Sequence, residues 1–147
     1  MSIWWSLHLR REAASVPLAR RLLLGAMETA GVDPDISYDL SVALSEACAN
    51  AVEHGGVAGL SDEAEAYRVT AYLDGDCCRI EVTDFGPGFP SATVSRPRPS
   101  LAEHGRGLCL IEQLADHVRF RNRPGRGAVV SFDKMLKWRE DALLKVS

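Results

Sequence analysis

Three polar side chains recur at a fixed step in the stretch Asp39 to Gly56, DLSVALSEACANAVEHGG. Glu46, Asn50 and His54 lie four residues apart, so on a helix they form one polar column. A carboxylate one turn from an amide suits two linked tasks. The carboxylate accepts a proton, and the amide oxygen holds a hard cation. Taken alone, such a column is also what an ordinary solvated helix face looks like. A second stretch, Glu81 to Pro90, reads EVTDFGPGFP and sets Asp84 at a strand end just before Gly86 and Gly88. A carboxylate there accepts a hydrogen bond from an exocyclic amine, which selects adenine over guanine. The glycines let the backbone approach a flat base, although Asp and Gly are also the common residues of plain turns. The third stretch, HGRGLCLIEQLAD, runs from His104 to Asp116 and opens a helix at Gly105 and Gly107. Unpaired N–H groups at such a start, backed by the helix dipole, bind phosphate oxygens. The Walker pattern GxxxxGK[ST] is absent, so this is not a P-loop.

The rest of the chain has to hold these stretches in place. Ile3, Trp5, Leu7 and Leu9 alternate with Trp4, Ser6, His8 and Arg10, which predicts a strand with one buried face. Ser15 reads as an N-cap with Pro17 in the first turn, opening a helix that runs to about Thr29 before Gly31 stops it. Asp33 or Asp35 caps the helix carrying Glu46, and Gly55–Gly56 ends it. Its apolar stripe is Leu40, Leu44, Ala47 and Ala51. Arg68–Leu73 and Arg79–Thr83 form a hairpin about Asp74–Gly75. Val57 to Glu65 reads as a loop, and Gly86 to Glu103, rich in Pro, Ser and Arg, as a long functional lid. A helix over Leu108–His117, strands over Val118–Asn122 and Ala128–Asp133, and a terminal helix over 135–146 complete the expectation. Antiparallel pairs with helices on one side predict an α/β two-layer sandwich of a mixed, mainly antiparallel sheet, a single domain over 1–147.

Composition narrows the function classes. With 46% apolar and 25% charged residues, the 147-residue chain has the make-up of a soluble globular protein. A net charge of −3 argues against direct nucleic-acid binding. No apolar run reaches membrane-spanning length, and no signal pattern opens the chain. Cys48, Cys77, Cys78 and Cys109 form no CxxC pair and have no His at ligand spacing. They read as free thiols of a cytoplasmic protein, with no zinc site.

In this order, Glu46-x-x-x-Asn50, Asp84-x-Gly86-x-Gly88 and Gly105-x-Gly107-Leu108 resemble the N, G1 and G2 boxes of the GHKL ATPase superfamily, whose ATP site is the Bergerat fold. The resemblance covers about Ser15 to Phe132. The phrases SVPLARRLL, LSEACANAVEHG, VTDFGPGFP and GRGLCLIEQLAD are similar to the small anti-sigma-factor serine kinases of bacteria. The resemblance implies ATP and Mg²⁺ as cofactors, with Asp84 on the adenine amine and Gly86 and Gly88 shaping the base pocket. It further implies Asn50 as metal ligand, Gly105, Arg106, Gly107 and Leu108 as phosphate binders, and Glu46 as the general base for a substrate serine. His54 would sit near the phosphates. The implied partners are a sigma factor and an anti-anti-sigma protein that is phosphorylated, with a homodimer as the working unit. One departure stands out: Ala128 follows Gly127 where many members carry Thr. The alternative is a non-catalytic, nucleotide-dependent clamp on a transcription regulator. Glu46 favours the enzyme, because a clamp has no need of a base there.

Overall fold

The alternation of the first residues builds β1, Ser2–Arg10, an edge strand of a five-stranded sheet among the described residues. In the computed structural model, residues 2–54, 66–85, 105–123 and 127–140 are described. The loop expected over Val57–Glu65 and the lid expected over Gly86–Glu103 fall wholly outside them, as do residues 141–147. β2, Ala66–Asp74, and β3, Cys77–Asp84, form the expected hairpin, with Gly75 in the turn at φ 60°. β4, His117–Arg123, and β5, Gly127–Met135, form a second antiparallel pair, and β5 lies beside β3. Every pairing among the described strands is antiparallel. The sheet is therefore wholly antiparallel in this region rather than mixed.

Among the described residues, three helices cover one face. α1, Ser15–Ala30, ends at Gly31, whose φ of 92° lets its N–H reach the carbonyls of Met27 and Glu28. The chain does not use Ser15 as the N-cap. Ser15 lies inside the first turn, Ala14 holds the cap position, and no side chain caps the helix. The reason is competition for the hydroxyl. The Ser15 side chain donates to the Glu12 carbonyl at 2.7 Å and lies 2.5 Å from the Tyr67 hydroxyl.

α2, Pro34–His54, starts where Asp33 accepts the Asp35 N–H at 2.8 Å, with Pro34 at the first helical position. Its stripe of Leu40, Ala43, Leu44, Ala47 and Cys48 is almost fully buried against the sheet. α3, Gly105–Leu114, starts three residues before the expected Leu108 and stops before His117, which opens β4 instead. The stop is tertiary: the Asp116 N–H bonds the Asp133 carbonyl, and its carboxylate accepts the Met135 N–H. Lys134 ties the layers together. Its ammonium donates to the Leu114 carbonyl at the end of α3 and lies 3.6 Å from the Asp39 carboxylate on α2.

The terminal helix expected over 135–146 is not formed across 135–140. Met135 belongs to β5, and Trp138 pairs in a bridge with Val32. Backbone bonds from Leu136 to Asp76 and from Arg139 to Gly31 hold this segment extended. Such long-range partners outbid a weak local helix preference.

Candidate functional site

α2 carries the first part of the site. Its apolar stripe fixes the rotation of the helix, which leaves Glu46 and Asn50 half-buried and one turn apart beside that stripe. The amide nitrogen of Asn50 is buried and has no hydrogen-bond partner among the described residues. A buried unpaired amide costs about 1–3 kcal/mol, so it marks a group kept for a partner that the fold does not supply. The side chain of His54, the last residue of α2, lies outside the described ones.

Asp84 closes β3 and is 8% exposed, opposite Tyr67 in the β2–β3 register. Gly127 comes against it at the start of β5, with φ at 106°. A Cβ at Gly127 would run into the Asp84 carbonyl oxygen and stand 2.8 Å from its carboxylate Oδ1. Only glycine leaves room there for the Asp84 carboxyl and tolerates that backbone angle. The next residue, Ala128, is buried and brings no hydroxyl, so the departure at this position leaves one polar group fewer beside Asp84.

Tyr67 joins the two parts. It is fully buried, its hydroxyl meets Ser15 of α1, and its side chain also bonds the Cys48 thiol of α2. Cys48 lies between Glu46 and Asn50 in sequence, so this contact pins the polar turn of α2 to the strand pair ending at Asp84. Burial pushes the Cys48 thiol up to about 12, and the Tyr67 hydrogen bond offsets part of that rise. Burial likewise raises the Tyr67 phenol, with the neighbouring Cys48 adding to it. Both groups are therefore neutral hydrogen-bonding posts, not acids or nucleophiles.

α2 packs against both β3 and α3. One helix thus bridges the strand that ends in Asp84 and the helix that opens at Gly105. Gly105, Arg106, Gly107 and Leu108 form the first turn of α3, whose N–H groups lack intrahelical acceptors. Gly86 and Gly88 lie outside the described residues. Tyr67, Ser15 and Gly127 were not singled out as site residues from the sequence. Gly127 had a signal, the PGRG turn before a strand; a tyrosine within a strand had none.

No cluster of three or more His, Cys, Asp or Glu that could hold a metal occurs among the described residues. The unpaired nitrogen of the Asn50 amide is a donor that calls for an acceptor such as a phosphate oxygen, whereas its amide oxygen is a hard ligand for a cation. This fits Mg²⁺, which takes one or two protein oxygens and completes its shell from phosphates and water. The four thiols are all free, as expected, and no helix among the described residues is long and apolar enough to cross a membrane.

Comparison with known proteins bears on the same residues. Residues 9–134 match the family described as histidine kinase-like ATPase domain. An anti-sigma F factor of Pasteuria penetrans is 33% identical over 115 residues, covering 74% of this chain and 75% of the relative. Serine-protein kinase RsbW of Bacillus subtilis (strain 168) is 34% identical over 120 residues, with 75% and 72% covered. Among solved structures, the RsbU and RsbW domains of Rv1364c from Mycobacterium tuberculosis superpose at a TM-score of 0.66 with 24% identity. That match covers 97% of this chain but 35% of the other, and it speaks to the fold.

Proposed function

We infer the function from one premise: this chain belongs to the family of histidine kinase-like ATPase domains. It is an ATP-dependent protein-serine kinase that acts as an anti-sigma factor. The observation that carries the reading is the half-buried Glu46–Asn50 turn, pinned through Cys48 and Tyr67 to the strand pair that ends in buried Asp84. Asp84 accepts the adenine amine, with Gly86 and Gly88 shaping the pocket and Gly127 giving the carboxyl its room. The N–H groups of the first turn of α3, at Gly105, Arg106, Gly107 and Leu108, receive the phosphates. Asn50 holds Mg²⁺ through its amide oxygen, and the bound ion would neutralise charge on the phosphates. Glu46 takes the proton from the attacking serine hydroxyl. Phosphoryl transfer depends mainly on positioning and charge neutralisation, so a set this small is sufficient.

The partners in this reading are a sigma factor, which the protein sequesters, and an anti-anti-sigma protein, which it phosphorylates on serine. The working unit is a homodimer in the cytoplasm. Support for self-association comes from β1, an edge strand among the described residues, where Trp4 is 68% exposed beside a half-open Ile3.

The experiment is transfer of the γ-phosphoryl label from ATP to a candidate anti-anti-sigma protein, run beside capture of a sigma factor. Label on a partner serine, together with release of the captured factor, is the expected result. Capture of the factor without label on any partner would replace the kinase with a nucleotide-dependent clamp.

A further inference from the structure

The sheet face turned away from the helices carries a groove of about 270 Å³ that the nucleotide reading does not use. Its floor is made by small side chains of the inner strands, Thr83 on β3 with Val129 and Ser131 on β5. Long basic side chains rise around that floor: Arg68 from β2, Arg79 from β3, and Arg119 and Arg121 from β4. The register makes the spacing definite. Arg68 lies opposite Thr83, Thr83 opposite Val129, and Val129 opposite Arg121. The two arginines of that row are therefore three strand spacings apart, about 14 Å, which leaves room for one extended chain between them.

The charge of this face is unlike that of the chain, whose net charge is −3. Two carboxylates, Glu81 and Asp133, line the groove with the four arginines, and Asp133 already bonds the His117 ring at 2.9 Å. Among the described residues, no ion pair engages Arg79, Arg119 or Arg121. Arg68 lies 5.5 Å from the Phe85 ring centroid. Like charges gathered on adjacent strands repel, so a face of this kind is poorer alone than with an anionic partner.

We propose that the open sheet face binds an extended, acidic segment of a partner protein, its carboxylates pairing with the arginine walls. Guanidinium groups match carboxylates in a two-point fork, which gives direction as well as attraction. Two features set a peptide above a nucleic acid. Among the described residues no Phe, Tyr or Trp lines the groove, so the large aromatic platforms on which successive bases stack are missing. Glu81 and Asp133 accept hydrogen bonds from the backbone N–H groups of an extended peptide, donors that a phosphate backbone does not carry. The groove lies on the layer opposite α2, so its occupant leaves Glu46 and Asn50 uncovered.

The test uses the full chain without nucleotide and a fluorescein-labelled peptide that alternates Glu and Ser, read by anisotropy. Saturable binding that weakens with added salt is expected. The double substitution Arg79→Gln/Arg121→Gln should weaken it about tenfold or more, and Arg119→Gln alone should act in the same direction. The pair Arg20→Gln/Arg21→Gln, on exposed positions of α1, should leave it unchanged. Absence of saturation, or equal loss from the two double variants, would overturn the proposal. A single-stranded oligonucleotide that binds more tightly than the peptide and loses affinity in the groove variants would overturn it in favour of nucleic acid.

Discussion

At the scale of single residues, the site rests on groups held where a water-exposed copy would do little. Asp84 is buried at a strand end, and a charged acceptor bond in that setting contributes about 1.5–3 kcal/mol. Replacing Asp84 with Asn keeps the shape but swaps half of the acceptor for a donor. Calorimetry should show ATP binding more tightly than GTP in the wild-type protein, and Asp84→Asn should lose that preference along with much of its ATP affinity. Equal affinity of the wild type for both nucleotides would remove the adenine assignment. Gly127 makes a sharper demand. Its φ of 106° and its approach to Asp84 leave no room for a methyl group. Gly127→Ala should therefore weaken ATP binding while a control at Gly25, where an added Cβ meets nothing, changes it little. Equal affinity in the two variants would mean that the Asp84 carboxyl can move without consequence.

Elements place these residues, and the sequence disclosed them unevenly. The strand of alternating residues at β1, the glycine stop at Gly31, the β2–β3 hairpin and the register of Glu46 with Asn50 were all legible, because each rests on local periodicity or turn chemistry. The start of α1, the end of α3 and the extended chain after β5 were not. Each is decided by a distant partner: Tyr67 for Ser15, Asp133 for the residues after α3, and Gly31 with Asp76 for the segment after Met135. The candidate site divides in the same way. Its motif residues could be read from spacing, while the Tyr67 link and the glycine behind Asp84 exist only once the strands are paired. The link has a measurable strength. Tyr67→Phe removes one hydroxyl that meets both Ser15 and Cys48, at a cost of about 0.5–1.5 kcal/mol for each bond lost. Thermal unfolding should fall by about 2–4 °C per kcal/mol for a chain of this size. Unfolding at the wild-type temperature, with unaltered ATP binding, would show that α2 is held without that post.

For the whole molecule, the buried thiols make stability depend on alkaline pH. Cys48 and Cys78 are both pushed from 9.0 up to about 12 by burial. The unfolded chain releases these protons first, so it binds fewer protons than the native state as pH rises past 9.0. The stability they contribute is complete below pH 9.0 and is lost between there and about 12. Urea midpoints should drop across that window, and the drop should shrink in a Cys48→Ala/Cys78→Ala variant. In the native protein below the window, alkylation should favour the exposed Cys109 over either of them. An equally steep drop in the double variant would assign the alkaline loss to other groups. The central claim is that this molecule transfers a phosphoryl group with Glu46 as the base, and the most direct measurement is label transfer from ATP by Glu46→Gln. General-base loss costs about 10²–10⁴-fold in rate with little effect on ground-state binding. Glu46→Gln should bind ATP and the sigma factor as the wild type does while labelling the partner serine slower by that factor, whereas Asn50→Ala should lose Mg²⁺-dependent binding and transfer together. Labelling by Glu46→Gln at the wild-type rate would contradict the account.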